Sequence, residues 1–476
     1  MDSFYWYDLE TFGRDPRRTR IAQFAGVRTD TALNEIEAPL VRYCRPADDL
    51  LPSPAATLIT GITPQQAARD GINEAELFSH IHERLSQPRT CALGYNSLRF
   101  DDEFIRYGLY RNFHDPYERE WKNGNSRWDL LDLMRLAYVL RPDGMNWPRR
   151  DDGAPSFRLE HLTAANGIDH GRAHDALADV RALLALARKL KAAQPRLWDY
   201  YYGLRFKREV ARLIDPIAPT PLLHVSGKYP AARGGAALVL PLATHPRIDG
   251  RVIVYDLDQD PSDLLDLSAE EIADRLYTPA ADLPEGERRI ALKAIHLNRS
   301  PALVRLEHVR HDELARLGFD IEACLANAEL LRRTDGLADK VRRVFDLPPP
   351  DPADDVDAAL YDGFLPDSDK RRLDAVRATQ PEHLDPQRFA FKDARYPELL
   401  VRYRARNWPE SLGPDLREHW DDYRRQRLLS DRGWSEYSVD SYFAEIAELR
   451  PNAGPGQAQA LLDALEAWGH DLRRSL

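Results

Sequence analysis

The sequence predicts an α/β domain built on a mixed sheet with flanking helices, followed by a small β-rich domain and an α-helical C-terminal domain. Three observations carry this expectation. Strand-like and helical segments alternate over the first 190 or so residues. From about residue 196 short apolar pieces are separated by Gly and Pro instead. Beyond residue 369 the chain is rich in Arg, Leu, Glu and Ala with almost no strand signal. A chain of 476 residues also needs more than one core, because single cores rarely grow past about 250–300 residues.

The elements follow in order. Residues 4–9 are aromatic-rich and strand-like, and 21–28 and 36–43 have strand propensity, so the three read as a meander. Residues 64–70 and 74–85 have helical periodicity, 90–96 return to strand, and 101–111, 128–140 and 175–190 are helical again. Helices packed on a mixed sheet accommodate this alternation. In the second region 222–225, 236–242, 252–257 and 290–297 are the expected strands. Between Arg196 and Arg251 nine basic residues face four acidic ones, which makes this stretch locally positive. The proline-rich run 348–352, with Asp354, Asp355 and Asp357 after it, reads as a linker. The expected domains are therefore residues 1–193, 194–347 and 351–476.

Composition narrows the classes of function. With 43% hydrophobic and 30% charged residues, the chain is neither disordered nor fibrous. Its net charge of −11 argues against coating nucleic acid by bulk charge, though a local basic groove stays open. Cys44, Cys91 and Cys324 are too scattered for a disulfide framework or a zinc site, so free buried thiols and a cytoplasmic setting are expected. The N-terminus has no basic n-region, and no apolar run approaches the roughly 18 residues of a membrane span. No membrane partner is expected.

Asp8-Leu9-Glu10 ends the first strand. Side chains two apart on a strand project to the same side, so the two carboxylates stand together at the end of an apolar strand. A divalent cation would resolve their repulsion, and hard oxygen donors suit Mg²⁺ or Mn²⁺. Asp101 opens a helix after the strand ending near Asn96, where on its own it would be an N-terminal cap. His174 stands before a helix whose second turn carries Asp179, so both can lean toward one site.

Taken together, Asp8, Glu10, Asp101, His174 and Asp179 resemble the DEDD exonuclease superfamily in its histidine variant, which includes ribonuclease T, oligoribonuclease and the proofreading subunit of bacterial replicative polymerase. Asn125-Ser-Arg-Trp-Asp-Leu-Leu-Asp132, Pro155-Ser-Phe-Arg-Leu-Glu-His-Leu162, Leu223-His-Val-Ser-Gly-Lys228, Leu360-Tyr-Asp-Gly-Phe364 and Tyr403-Arg-Ala-Arg-Asn-Trp-Pro409 resemble the bacterial exonuclease I family, and the resemblance spans essentially the whole chain. It implies a ribonuclease H-like nuclease domain, an SH3-like second domain and a helical third. It also implies processive, Mg²⁺-dependent 3′→5′ hydrolysis of single-stranded DNA to deoxynucleoside 5′-monophosphates, in DNA repair and recombination. Asp8, Glu10, Asp101 and Asp179 would hold two Mg²⁺ ions, with Mn²⁺ able to substitute, and His174 would be the general base.

Basic and aromatic residues interleave between Arg99 and Arg158, the arrangement that sequence-tolerant binding of single strands requires. Phe113 and Trp128, with helix-like apolar neighbours, are expected in the core. Residues 99–158 hold eleven basic and eleven acidic groups, so the cations matter only if folding gathers them on one side. The resemblance implies that Arg106, Tyr117, Trp121, Arg135 and Arg158, with Glu10, contact the DNA. It further implies that Arg141 and Tyr200 belong to a pocket for the acidic C-terminal tail of single-stranded-DNA-binding protein. A monomer is expected, as is loss of processivity before chemistry on truncation after about residue 193. The competing readings are an RNA-directed or short-oligonucleotide exonuclease and a non-catalytic strand-binding scaffold.

Overall fold

Aromatic side chains drive the first strand into the interior, and the rest of the N-terminal fold is arranged around it. The computed structural model describes residues 1–169, 175–430, 432–454 and 456–476. Its N-terminal elements are β1 (Ser3–Thr11), β2 (Ile21–Thr29), β3 (Leu40–Tyr43), α1 (Pro54–Thr60), α2 (Pro64–Asp70), α3 (Glu74–Leu85), β4 (Thr90–Gly94), α4 (Asp101–Arg111), β5 (Ser126–Asp129), α5 (Leu130–Leu140), α6 (Leu159–Ala165) and α7 (Ala176–Ala193). The sheet order is β3-β2-β1-β4-β5. The meander is antiparallel, whereas β4 runs parallel to β1, and the crossover this demands is supplied by α1 to α3.

Two boundaries differ from expectation for local reasons. Strand β3 starts at Leu40 because Pro39 cannot donate to a ladder. Trp128 and Asp129 belong to β5, and the Asp129 side chain caps α5 by accepting from Leu131 N at 3.0 Å. Helix α1, opened by Ser53 and Pro54, was not anticipated.

The chain divides into two compact units. The first comprises Met1–Ser126, His170–Arg181 and Asp351–Leu476, and the second Arg127–Asp169 and Ala182–Pro350. In the first unit α3 and α4 lay Leu77, Phe78, Ile81, Phe104, Ile105 and Leu109 on Tyr5, Tyr7 and Leu9 of β1. The C-terminal residues of this unit form helices, among them Asp367–Arg377, Arg395–Asn407, Pro414–Leu429, Val439–Leu449 and Gln457–Ser475, with no strand among the described residues. They share a core with α4, where Tyr107, Tyr110 and Phe113 meet Leu373, Leu399 and Tyr403.

The linker expectation fails at Asp355 and Asp357. Asp355 caps a short turn, Val356–Tyr361, and both carboxylates are buried against arginines. Arg402 binds Asp355, and Arg406 joins Asp357, at 2.9 Å through Nη1, to Asp49, at 3.0 Å through Nε. Arg20 approaches both Asp49 and Asp357, at 3.7 and 3.6 Å, and Arg427 lies 3.5 Å from Asp49. Burial alone would raise the protonation range of Asp49 and Asp357, but the surrounding guanidinium groups outweigh it and hold both below the ordinary carboxylate range.

The second unit carries an antiparallel sheet of order β10-β6-β7-β8-β9, formed by β6 (Leu222–Val225), β7 (Ala236–Thr244), β8 (Arg251–Asp256), β9 (Leu292–His296) and β10 (Ala302–Arg305). The last strand and the helices Ala269–Tyr277, Ile321–Arg333 and Leu337–Val344 were not anticipated. Trp128 is a core residue here, packed edge-on against Trp198 at 4.8 Å, and Phe113 is core in the first unit. All three cysteines are free and buried. Among the described residues no helix is long and apolar enough to cross a membrane.

Candidate active site

Strand β1 sets the site. Its parallel pairing with β4 ends at Trp6 opposite Leu93, so Asp8 and Glu10 lie toward the carboxyl ends of both strands, where open α/β sheets leave a crevice. On the other side Asp8 pairs with Ala25 and Glu10 with Gln23, and the register shifts between Glu10 and Thr11. Strand β4 stops at Gly94, where a Cβ would stand 2.7 Å from the Tyr7 carbonyl oxygen, so only glycine permits this approach. Asn96 follows at φ 63°, a left-handed conformation that asparagine tolerates, and turns the chain into α4.

Asp101 is the first residue of α4, and Phe100, not Asp101, occupies the cap position. Asp179 lies in the first turns of α7, its amide donating to the Asp175 carbonyl at 3.0 Å, while Gln23 Oε1 receives Ala176 N at 3.3 Å. Asp8, Glu10 and Asp179 each offer an oxygen within 4.8 Å of the others. Burial first, then Asp101, Glu10 and Asp179, push the Asp8 carboxyl well above its ordinary range. Burial, then Asp179 and Asp175, push Glu10 up to about 8. The charges pressing hardest on this cluster are all negative, and its donors are all hard oxygens, the set that fits a divalent cation.

Asp175, one helical turn before Asp179, went unnoticed in the sequence as a contributor. Its spacing of four residues is the signal that could have found it. His174 lies outside the described residues.

The expected strand contacts fall in both units. In the first, Arg106 is buried, bound to Glu120 at 2.7 and 3.0 Å, to Glu103 at 3.2 Å and to Tyr361 Oη at 3.0 Å. Its guanidinium carbon sits 5.5 Å from the centre of the Tyr117 ring, and Trp121 is 64% exposed. In the second, Arg158 is exposed at the N-cap of α6. Arg135 binds Asp132 at 2.9 Å and lies against Gly227, where a Cβ would come within 2.8 Å of its Nη2. Arg141 and Tyr200 line one cavity of about 710 Å³, together with Arg196, Leu197, Val304 and His308. Arg141 there also reaches Glu313, and Tyr200 donates to the Leu303 carbonyl at 2.6 Å.

Family models for an Exonuclease domain, an Exonuclease I SH3-like domain and an Exonuclease I C-terminal domain match residues 5–187, 205–347 and 354–472. Exodeoxyribonuclease I of Escherichia coli K12 is 47% identical over 474 residues, covering 99% of this chain and 98% of the relative. The chain belongs to the exonuclease I family. The fold agrees with that membership. E. coli Exonuclease I in complex with a dA16 oligonucleotide superposes at TM-score 0.95 with 44% identity, covering 99% of this chain and 100% of that one. The ExoI/SSB-Ct complex superposes at TM-score 0.92 with 43% identity, covering 99% of each chain. The carboxylate cluster of this chain falls within the segment that matches the Exonuclease family.

Proposed function

We propose that this chain is a metal-dependent exonuclease that degrades single-stranded DNA from its 3′ end and releases deoxynucleoside 5′-monophosphates. The observation that carries the reading is the meeting of Asp8, Glu10 and Asp179, with oxygens within 4.8 Å of one another and with Asp8 and Glu10 pushed up by burial and neighbouring carboxylates, in a chain of the exonuclease I family. Asp8, Glu10, Asp101 and Asp179 would hold two Mg²⁺ ions, with Mn²⁺ as a substitute. When bound, such ions neutralise the non-bridging phosphate oxygens and lower the pKa of water.

The protein's own work is then proton transfer and placement. His174 accepts the proton of the attacking water, a task for which an imidazole is suited because an unperturbed one titrates near neutrality. The oxygen of that water bonds to phosphorus as the bond from phosphorus to the 3′ oxygen breaks; the leaving oxygen takes a proton from solvent, so the shortened strand ends in a 3′-hydroxyl and the released nucleotide carries a 5′-phosphate. No nucleophile of the protein is consumed. Trp121 and Tyr117 offer stacking faces, and Arg158 and Arg135 offer phosphate contacts. Because Arg106 is committed to Glu120 and Glu103, its part in binding is to hold the Tyr117 ring.

The cavity of Arg141 and Tyr200 suits the acidic tail of single-stranded-DNA-binding protein, with arginines for carboxylates and an apolar floor. The enzyme would act as a monomer in the cytoplasm, in repair and recombination. Labelled single- and double-stranded DNA and RNA oligonucleotides, incubated with and without EDTA, test the central claim. Ladders shortening from the 3′ end of single-stranded DNA, abolished by EDTA, are expected. EDTA-resistant cleavage, or cleavage of RNA alone, would overturn it. For the tail, a fluorescent acidic peptide should bind the full chain and lose at least tenfold in affinity on Arg141→Ala.

A further inference from the structure

Behind the carboxylate cluster lies an arginine whose burial no structural need explains. Arg119 is fully buried; its Nη2 donates to Asp102 Oδ1 at 2.5 Å, while its Nε and Nη1 have no hydrogen-bond partner. Tyr7 Oη donates to the same Asp102 oxygen at 2.7 Å. Burying a guanidinium with unsatisfied donors is costly, and an apolar side chain of similar volume would fill the space without that cost.

The neighbours of this assembly in the chain are what give it meaning. Tyr7 precedes Asp8 on β1, and Asp102 follows Asp101 in the first turn of α4. Alternation along the strand turns Tyr7 to the face opposite Asp8, and the helix turns Asp102 about 100° from Asp101. The bond between Tyr7 and Asp102 therefore ties β1 to α4 on the hidden side, while Asp8 and Asp101 stand on the working side. Asp8 and Asp101 thus each stand one residue from an end of this bond.

The assembly extends outward. Arg119 Nη2 reaches Glu120 Oε1 at 3.8 Å, and Glu120 grips Arg106, beside which Tyr117 lies. A continuous line of alternating charge thus runs from the back of the cluster to the segment holding Tyr117 and Trp121.

We propose that Arg119, with Asp102 and Tyr7, is a positioning assembly that fixes the start of α4 against β1, and with them Asp101 and Asp8, before a divalent cation arrives. It rests on the metal reading above. Arg119 touches neither metal nor DNA and acts only through where the two carboxylates stand.

The test uses the full chain without DNA and follows free Mn²⁺ by electron paramagnetic resonance during titration, with melting curves of the metal-free protein alongside. Tyr7→Phe removes one hydrogen bond and leaves the ion pair in place. The double variant Arg119→Met with Asp102→Asn replaces the pair by neutral groups of similar size, so neither carries an unpaired buried charge. Both are expected to melt within a few degrees of wild type yet bind Mn²⁺ at least tenfold more weakly, with a matching rise in the Mg²⁺ concentration that half-saturates turnover. Mn²⁺ affinity within twofold of wild type in both variants would overturn the proposal and leave the assembly a packing feature. Failure of the wild-type chain to bind Mn²⁺ at all would be a separate result and would sink the metal reading itself.

Discussion

Two carboxylate clusters lie in the first unit, and their contrast separates a site from a scaffold. Asp49, Asp355 and Asp357 are surrounded by Arg20, Arg402, Arg406 and Arg427, and the arginines hold Asp49 and Asp357 ionised. Asp8, Glu10 and Asp179 bring oxygens within 4.8 Å of one another, and burial together with the charges of Asp101, Asp175 and Asp179 drives Asp8 and Glu10 toward the protonated form. Both clusters are acidic and removed from open solvent, though Asp8 and Asp179 are half-buried where Asp49, Asp355 and Asp357 are buried. What differs is whether the protein supplies the positive charge itself or leaves it to be supplied from solution. A cluster completed internally gains rigidity, and one left incomplete keeps affinity for a cation.

The largest effect that could break this contrast comes from removing a cation from the completed cluster. Arg406→Met leaves Asp357 and Asp49 short of their shared partner and should cost about 3–5 kcal/mol of stability, read from denaturant melts of the first unit's transition. A loss below about 1 kcal/mol would mean that the arginines are interchangeable spectators. Next in size, His174→Ala should lower turnover by about 10²-fold, roughly 2.7 kcal/mol of barrier, with unchanged Mn²⁺ binding. Near-normal turnover would remove this histidine from the mechanism.

The incomplete cluster should respond with the opposite sign. Glu10→Gln takes away an unpaired charge, so the metal-free protein should gain about 2 kcal/mol at pH 8 while losing cation affinity. The pH dependence follows from the same shift. Glu10 is raised from an ordinary 4.5 to about 8, so its share of stability is present below pH 4.5 and is lost as pH rises toward 8. Asp49 is lowered, so its share is present at neutral pH and is lost only as pH falls below the ordinary carboxylate range. Melting of the EDTA-treated wild type should therefore decline between pH 4.5 and 8, and the Gln variant should flatten that decline. An unchanged slope would place Glu10 in solvent. The smallest effect belongs to Trp121→Ala, which should weaken binding of a short single strand by about 1 kcal/mol without altering the melting temperature, as its exposure implies. Unchanged affinity would free Trp121 from any role in stacking.

Legibility in the sequence followed the range of the interaction. That Asp8 and Glu10 share one side of β1 could be read because strand alternation is a rule of period two, and that Asp101 and Asp179 stand in the first turns of helices because helix starts carry local signals. The meander β1 to β3, and α2, α3 and α4, were legible from periodicity alone. Arg106 looked like a cation for DNA because Glu120, fourteen residues on, gives no local sign that it will grip the guanidinium. Arg119 and Tyr7 converge on Asp102 across 17 and 95 residues, a convergence that depends on tertiary packing. Asp355 and Asp357 resembled a solvated linker for the same reason, since Arg402 and Arg406, which bond to them, lie 45 or more residues downstream, and Arg20 lies far upstream. Asp49 and Arg406, 357 residues apart, are the extreme case.

That last separation has a consequence for how the chain is made. Synthesis proceeds at about 5–20 residues per second, so Asp49 emerges roughly 20–70 s before Arg406 can reach it. During that interval Arg20 and Asp49 of the nascent N-terminal segment lack the C-terminal charges that complete their cluster, and Tyr110 and Phe113 lack the helices that share their core. A chain cut after residue 193 is frozen at that stage. Its loss of activity would report an unfinished interior, and processivity could not be read from it. Residues 1–126 and 351–476 thus belong to one compact unit, and the arrival of the second segment completes the core that the first begins.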